Sequence, residues 1–210
     1  MKRFCVIARD YEHHVPRSHD ATDHSQSDIF KGIQSLKDQE FKDFSVVICH
    51  DGPKDRSYED EGIDFGDLDV HIINTPTHLG NWGHHSADYA MRYAYEHELG
   101  QYFVQFNIDN VFYPDAFRVI DQALTQAEQD GVEIVIFGIR HWKAAQGRYF
   151  SGNPPKLYNI DSMQLVASRA VWKNMQFWFS QVEVSDGIIY QAMCLRHPFA
   201  TIDNELGINF

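Results

Sequence analysis

Residues 102–115 read YFVQFNIDNVFYPD, an apolar run that stops at Asn107-Ile108-Asp109-Asn110 before a turn and Pro114. Residues 102–106 have the aromatic and β-branched character of a buried strand. Pro114 fits the start of a helix whose apolar side is Phe117, Ile120, Leu124 and Ala127. A buried strand ending at an acid and two amides places oxygen ligands at its C-terminal edge, where open α/β sheets bind ligands. Such oxygens suit a hard cation, Mg²⁺ or Mn²⁺, completed by substrate phosphates. The same residues also make an ordinary polar turn between strand and helix.

Outward from this stretch, short apolar runs at 4–8 (FCVIA), 44–49 (FSVVIC), 70–74 (VHIIN) and 132–137 (VEIVIF) predict further strands. Helical spacing predicts a helix with Ile29, Phe30, Ile33 and Leu36 on one face and Ser27 as its cap. A second helix is predicted over 86–98. The order β-α-β-β-α-β-α-β implies an α/β fold, a mostly parallel central sheet flanked by helices. Past residue 140 the rhythm breaks. Residues 141–156 read as a Gly- and Pro-punctuated loop fit to be a lid. A strand over 162–168, a short helix over 169–175 and a helix over 186–195 capped by Ser185 follow. The polar stretch 10–28, with His13, His14, His19 and His24, reads as a loop without a metal-ligand frame.

The 210 residues suit a single domain spanning 1–210. A hydrophobic share of 43% and a charged share of 23% are those of a soluble globular protein. A net charge of −12 argues against nucleic acid as a partner and against an anionic membrane surface. No segment has the length of a membrane span, and the apolar part of the N-terminus is too short for a signal peptide. Cys5, Cys49 and Cys194 lack the spacing of a disulfide framework or a zinc site. They read as reduced, buried thiols of a cytoplasmic protein.

Several stretches carry chemistry in order along the chain: the strand ending in HDGP over 46–53, NWGHHSADY at 81–89, FNIDNVFYPDAF at 106–117 and EVSDGIIYQ at 183–191. Together they resemble the GT-A-fold glycosyltransferases (nucleotide-diphospho-sugar transferase-like), specifically glycosyltransferase family 2. The resemblance is best over residues 1–120, implying a nucleotide-binding half there and an acceptor and lid half over 121–210. It implies metal-dependent, inverting transfer of a sugar from a nucleotide-sugar donor, a UDP-sugar first, to a hydroxyl of a glycan or small molecule. Three residues depart from the family pattern: Asn107 replaces the first metal-motif acid, Asp88 an arginine that faces the diphosphate, and Ser185 a glutamate.

The expected roles follow. Asp109 holds the divalent cation, with Asn107 and Asn110 as neutral ligands and His197 as a late extra ligand. Asp186 is the general base that takes the acceptor proton. As a mere helix cap it would instead be held ionised by the helix dipole, its pKa lowered. Ala8, Arg9 and Asp10 after the first strand, and His50 and Asp51 after the second, hold the nucleotide, although Asp51-Gly52 is equally a turn signal. Asn81, Gly83 and His84 precede a helix N-terminus that favours an anion. One rival is a sugar-1-phosphate nucleotidyltransferase, which needs a Gly-rich basic loop where this chain has RDYEHHVPR. The other is a non-catalytic binder of nucleotide sugars or glycans.

Overall fold

A computed structural model describes residues 1–10, 25–80, 83–141, 147–177 and 185–209. Nine strands form one sheet in the order β3-β2-β1-β4-β8-β6-β9-β5, with β7 added on β6. β1 (Lys2–Asp10), β2 (Phe44–His50), β3 (Asp69–Asn74) and β4 (Gly100–Asn107) are mutually parallel. β8 (Leu165–Ser168) lies antiparallel between β4 and β6 (Ile134–His141). β9 (Ala200–Asn209) then runs parallel to β6, and the two-residue β5 (Val111–Phe112) pairs antiparallel with β9. The sequence-based strands are present, the one expected over 162–168 only from Leu165, because Ser162–Gln164 form a 3-10 turn. β5, β7 (Arg148–Phe150) and β9 were not anticipated, and β7 occupies part of the expected lid loop.

The central strands are apolar on both faces because helices cover both. Successive side chains point to opposite faces. Phe4, Val6 and Ala8 of β1 pack with Ile33 and Leu36 of α1 (Ser25–Lys37) and with Phe117, Ile120 and Leu124 of α3 (Ala116–Glu128). Cys5 and Ile7 face the other way. They join Ala90, Met91 and Ala94 of α2 (His84–Glu96), Trp172 of α4 (Arg169–Asn174) and Ile189, Tyr190 and Met193 of α5 (Ser185–Arg196). Arg9 continues the odd series and so emerges on the α2/α5 face at the C-terminal edge.

Helix boundaries differ from expectation by one to three residues, and α5 takes in Ser185, its expected cap. α1 begins at Ser25, so Ser27 lies inside its first turn and is not its cap. α3 begins at Ala116, after the turn that Pro114 opens. Gly32 of α1 has a steric task. A Cβ there would lie 1.9 Å from the Ile108 carbonyl oxygen, so helix backbone rests directly on the 107–110 turn. The thiols of Cys5, Cys49 and Cys194 are free, and burial pushes each up to about 12.

Candidate active site

The parallel register sets Arg9 of β1 beside Asn107 of β4, on one face of the sheet. The Arg9 Nε–H donates to Asn107 Oδ1. Its Nη2 donates to Ser162 Oγ at 3.4 Å, and Nη1 lies 2.9 Å from His84 Nδ1. A guanidinium can only donate, so neutral His84 accepts at Nδ1 and carries its proton on Nε2. His84 opens α2 behind Gly83, whose φ of 75° is left-handed. A Cβ on Gly83 would meet Arg9 Cδ at 3.0 Å, so glycine both turns the chain and clears the arginine's path. Among the described residues no side chain caps this end of α2 by a hydrogen bond.

Opposite Arg9 stands a tight turn, Ser162–Gln164, built as a reciprocal cap. Asp161 Oδ1 accepts from Met163 N (3.3 Å) and Ser162 Oγ (3.1 Å), while Gln164 Oε1 accepts from Asp161 N at 2.8 Å. Gln164 Nε2 donates to the carbonyls of Phe137 and Phe150, tying the turn to β6 and β7. Tyr190 of α5 donates to the Ser162 carbonyl at 2.5 Å, and α5 thereby carries Asp186 into the same cluster. His141 Nε2, at the end of β6, lies 3.7 Å from Asp161 Oδ2.

Asp186 is a partly buried carboxylate beside Arg9 and Asp161. Burial pushes its pKa up from the ordinary 3.8 to about 6, and the Asp161 charge adds to the rise. The Arg9 charge and amide N–H groups, Gly187 N at 2.7 Å among them, oppose it. The sequence-based view of Asp186 as a cap had its pKa lowered by the helix dipole. Desolvation and a like charge outweigh the dipole here. An acid poised near 6 is a better proton acceptor at neutral pH than an ordinary aspartate.

The other expected nucleotide contacts are mostly turned inward. Ala8 packs in the core, so only its backbone faces the strand edge. Asp10 Oδ2 accepts from the buried Tyr58 hydroxyl at 2.6 Å, and that phenol is pushed far up by burial and by the Asp10 charge. His50 is sealed, with Nδ1 2.9 Å from the Gly52 carbonyl. Asp51 accepts backbone N–H from Leu79 on Oδ1 and from Gly80 on Oδ2, both at 2.8 Å. Its carboxylate thereby shapes the segment leading to α2. Asn81 lies outside the described residues, as do His13, His14, His19 and His24. Asp88 pairs with Arg92 one turn along α2.

Two of the four ligands expected for a divalent cation, Asn107 and Asn110, are engaged elsewhere in the fold. Asn110 is fully buried, its Nδ2 3.4 Å from Met163 Sδ. Asn107 Oδ1 already accepts from a guanidinium. A doubly charged ion on that oxygen would sit about 4–5 Å from Arg9, a repulsion of roughly 7 kcal/mol at an effective dielectric near 20. His197 follows α5, roughly 16 Å of helix rise beyond Asp186. It precedes β9, which starts level with the N-terminal part of β6, so it sits toward the opposite sheet edge. Asp109 is the one carboxylate of the turn. Among the described residues no group of three or more His, Cys, Asp or Glu side chains converges for a metal.

Asp161, Ser162 and Tyr190 were not singled out from the sequence. The D-x-x-Q spacing of Asp161 and Gln164 announces a cap, but only the fold brings that cap to Arg9. An open hollow of about 260 Å³, lined by Lys54, Arg56, Ser57, Tyr58, Ile72 and Asn74, lies beside β3 and does not include the Arg9 cluster.

No protein-family model matches the chain, and no curated protein matches it. Solved structures do. TarS 1-349 of S. aureus superposes with a TM-score of 0.73 at 14% identity, over 99% of this chain and 60% of that one. Its complex with UDP gives a TM-score of 0.72 at 14% identity, over 98% and 60%. The mannosyltransferase PcManGT of Pyrobaculum calidifontis, in complex with GDP-Man and Mn²⁺, gives 0.67 at 12% identity, over 99% and 56%. The fold is therefore that of the GT-A glycosyltransferases. The chain spans about three fifths of the length of these structures. No helix among the described residues is long and apolar enough to cross a membrane.

Proposed function

We propose that this chain transfers a sugar from a nucleoside-diphosphate sugar to a hydroxyl acceptor by direct displacement with inversion. The acceptor oxygen attacks the anomeric carbon, and the bond from that carbon to the β-phosphate oxygen breaks. The electron pair leaves with the nucleoside diphosphate. The hydroxyl proton passes to Asp186. No covalent enzyme intermediate is needed. What carries this reading is Asp186, an acid with a pKa of about 6 in a cluster with a guanidinium, on a fold shared with such enzymes. UDP-sugars are the first donors to test because TarS 1-349 was solved with UDP and with UDP-GlcNAc; GDP-Man, bound by PcManGT, is the second. The divalent cation expected from the sequence is left out of this scheme because Asn107 and Asn110 are engaged elsewhere.

The test is release of nucleoside diphosphate from UDP-GlcNAc, UDP-glucose and GDP-mannose, with hydrolysis by water as the baseline. Asp186→Asn is expected to lower turnover by at least ~100-fold while nucleotide affinity changes by less than ~3-fold. Undiminished turnover in that variant, or no binding of either nucleotide at millimolar concentration, would remove the proposal. Inversion is read from the anomeric configuration of the first-formed product.

A further inference from the structure

Building on the transfer reading, we propose that Arg9, anchored on Asn107, His84 and Ser162, takes the place of a divalent cation against the donor's diphosphate. The chain then binds and uses a nucleotide sugar without metal. The sheet register brings Arg9 to Asn107, the position where the resemblance puts the first metal-motif acid. An aspartate there would both call for a cation and cancel the arginine's charge. An amide does neither. Among the described residues, the hydrogen-bond partners of Arg9 are an amide, an imidazole and a hydroxyl. They fix the guanidinium in place with no carboxylate among its hydrogen-bond partners, while Asp186 acts on it through its charge.

The geometry also leaves the arginine able to act. A guanidinium has five N–H groups, and Nε, Nη1 and Nη2 each spend one on the anchors. Two remain for phosphate oxygens, in the fork that suits bidentate contact. The left-handed Gly83 starts α2 beside Arg9, so the positive end of the helix dipole adds to the field there. When the glycosidic bond breaks, the electron pair settles on the leaving diphosphate, and a fixed positive charge beside it lowers the energy of that step.

Calorimetric titration of UDP and GDP in EDTA and in millimolar Mn²⁺ tests this on the unmodified chain. The expected Kd differs by less than ~3-fold between the two conditions, and UDP-GlcNAc turnover persists in EDTA. Arg9→Met should weaken binding in EDTA by at least ~30-fold, and Arg9→Lys should restore part of the loss. The double change Arg9→Met with Asn107→Asp should make binding depend on Mn²⁺. Wild-type affinity falling more than ~10-fold in EDTA, or Arg9→Met binding like wild type, overturns the inference. If Mn²⁺ proves essential and transfer still occurs, this inference alone falls. If neither nucleotide binds under either condition, the transfer reading falls with it.

Discussion

Replacing Asp186 by asparagine should make the protein more stable at alkaline pH even as it removes the proposed base. In the fold this carboxyl is raised from 3.8 to about 6 by burial and by Asp161. Its protonated form therefore supports the fold below about pH 4, and that support is lost as pH rises through about 6. Above that, the folded state carries an ionised carboxylate at a cost of roughly 3 kcal/mol relative to the unfolded chain. Asparagine keeps the neutral form at every pH. The gap between variant and wild type should thus be near zero at about pH 4 and widen between about 4 and 6. It should then level off at up to about 3 kcal/mol. For a chain of this length that is up to roughly 6–12 °C in Tm. The true gain is smaller, because the new amide needs partners and Arg9 loses a nearby negative charge. Urea unfolding followed by tryptophan fluorescence reads the gap, since Trp172 is fully buried. A variant no more stable than wild type at about pH 8 would refute the burial argument.

Further expectations follow from other contacts. Gly32→Ala would drive a Cβ to 1.9 Å from the Ile108 carbonyl oxygen, so either α1 or the 107–110 turn must shift. A loss of roughly 2–4 kcal/mol in urea unfolding, with weaker nucleotide binding, is expected; unchanged stability would show that the helix does not rest on the turn. Asp161→Asn preserves the cap but removes the charge that raises Asp186. The acidic limb of the pH profile for diphosphate release should then move to lower pH, and a limb that stays in place would separate the two carboxylates.

Continuous apolar runs made β1, β2, β4 and β6 legible, because their short length and β-branched and aromatic residues favour buried strands over helices. β9 was not, because ATIDNELGIN is polar and half exposed over much of its length, and its pairing with β6 is non-local. Asp186 was singled out through its motif. Its electrostatics were not readable, since the desolvation and the Asp161 charge come from elements far apart in sequence. Asp51 shows the converse. Its strand-ending position suggested a ligand contact, whereas its oxygens accept the amides of Leu79 and Gly80. Turn chemistry and ligand binding draw on the same residue types, and only three-dimensional neighbours separate them. Arg9 illustrates the same limit, for its tie to Asn107 exists only in the register of two parallel strands.

A chain of net charge −12 must solve locally the problem of holding a diphosphate, which the proposed function requires. Salt screens distant carboxylates within about 8 Å, so the nearest groups decide. Near the strand edge, Asp10 and Asp51 are covered by a hydroxyl and by backbone amides, which disperse their charge into the fold. Asp161 is held by its own turn and by His141. The groups that the proposed function assigns to the substrate are then of opposite sign and different kind. Asp186 is a carboxylate kept basic by burial, and Arg9 is a guanidinium held by neutral anchors. Displacement at a sugar carbon needs this separation, with a base where the acceptor proton leaves and a fixed cation where the diphosphate charge grows. Pairing Arg9 tightly with Asp186 would defeat both, by lowering the base's pKa and cancelling the cation. The neutral amide at Asn107 therefore matters as much as either charged group.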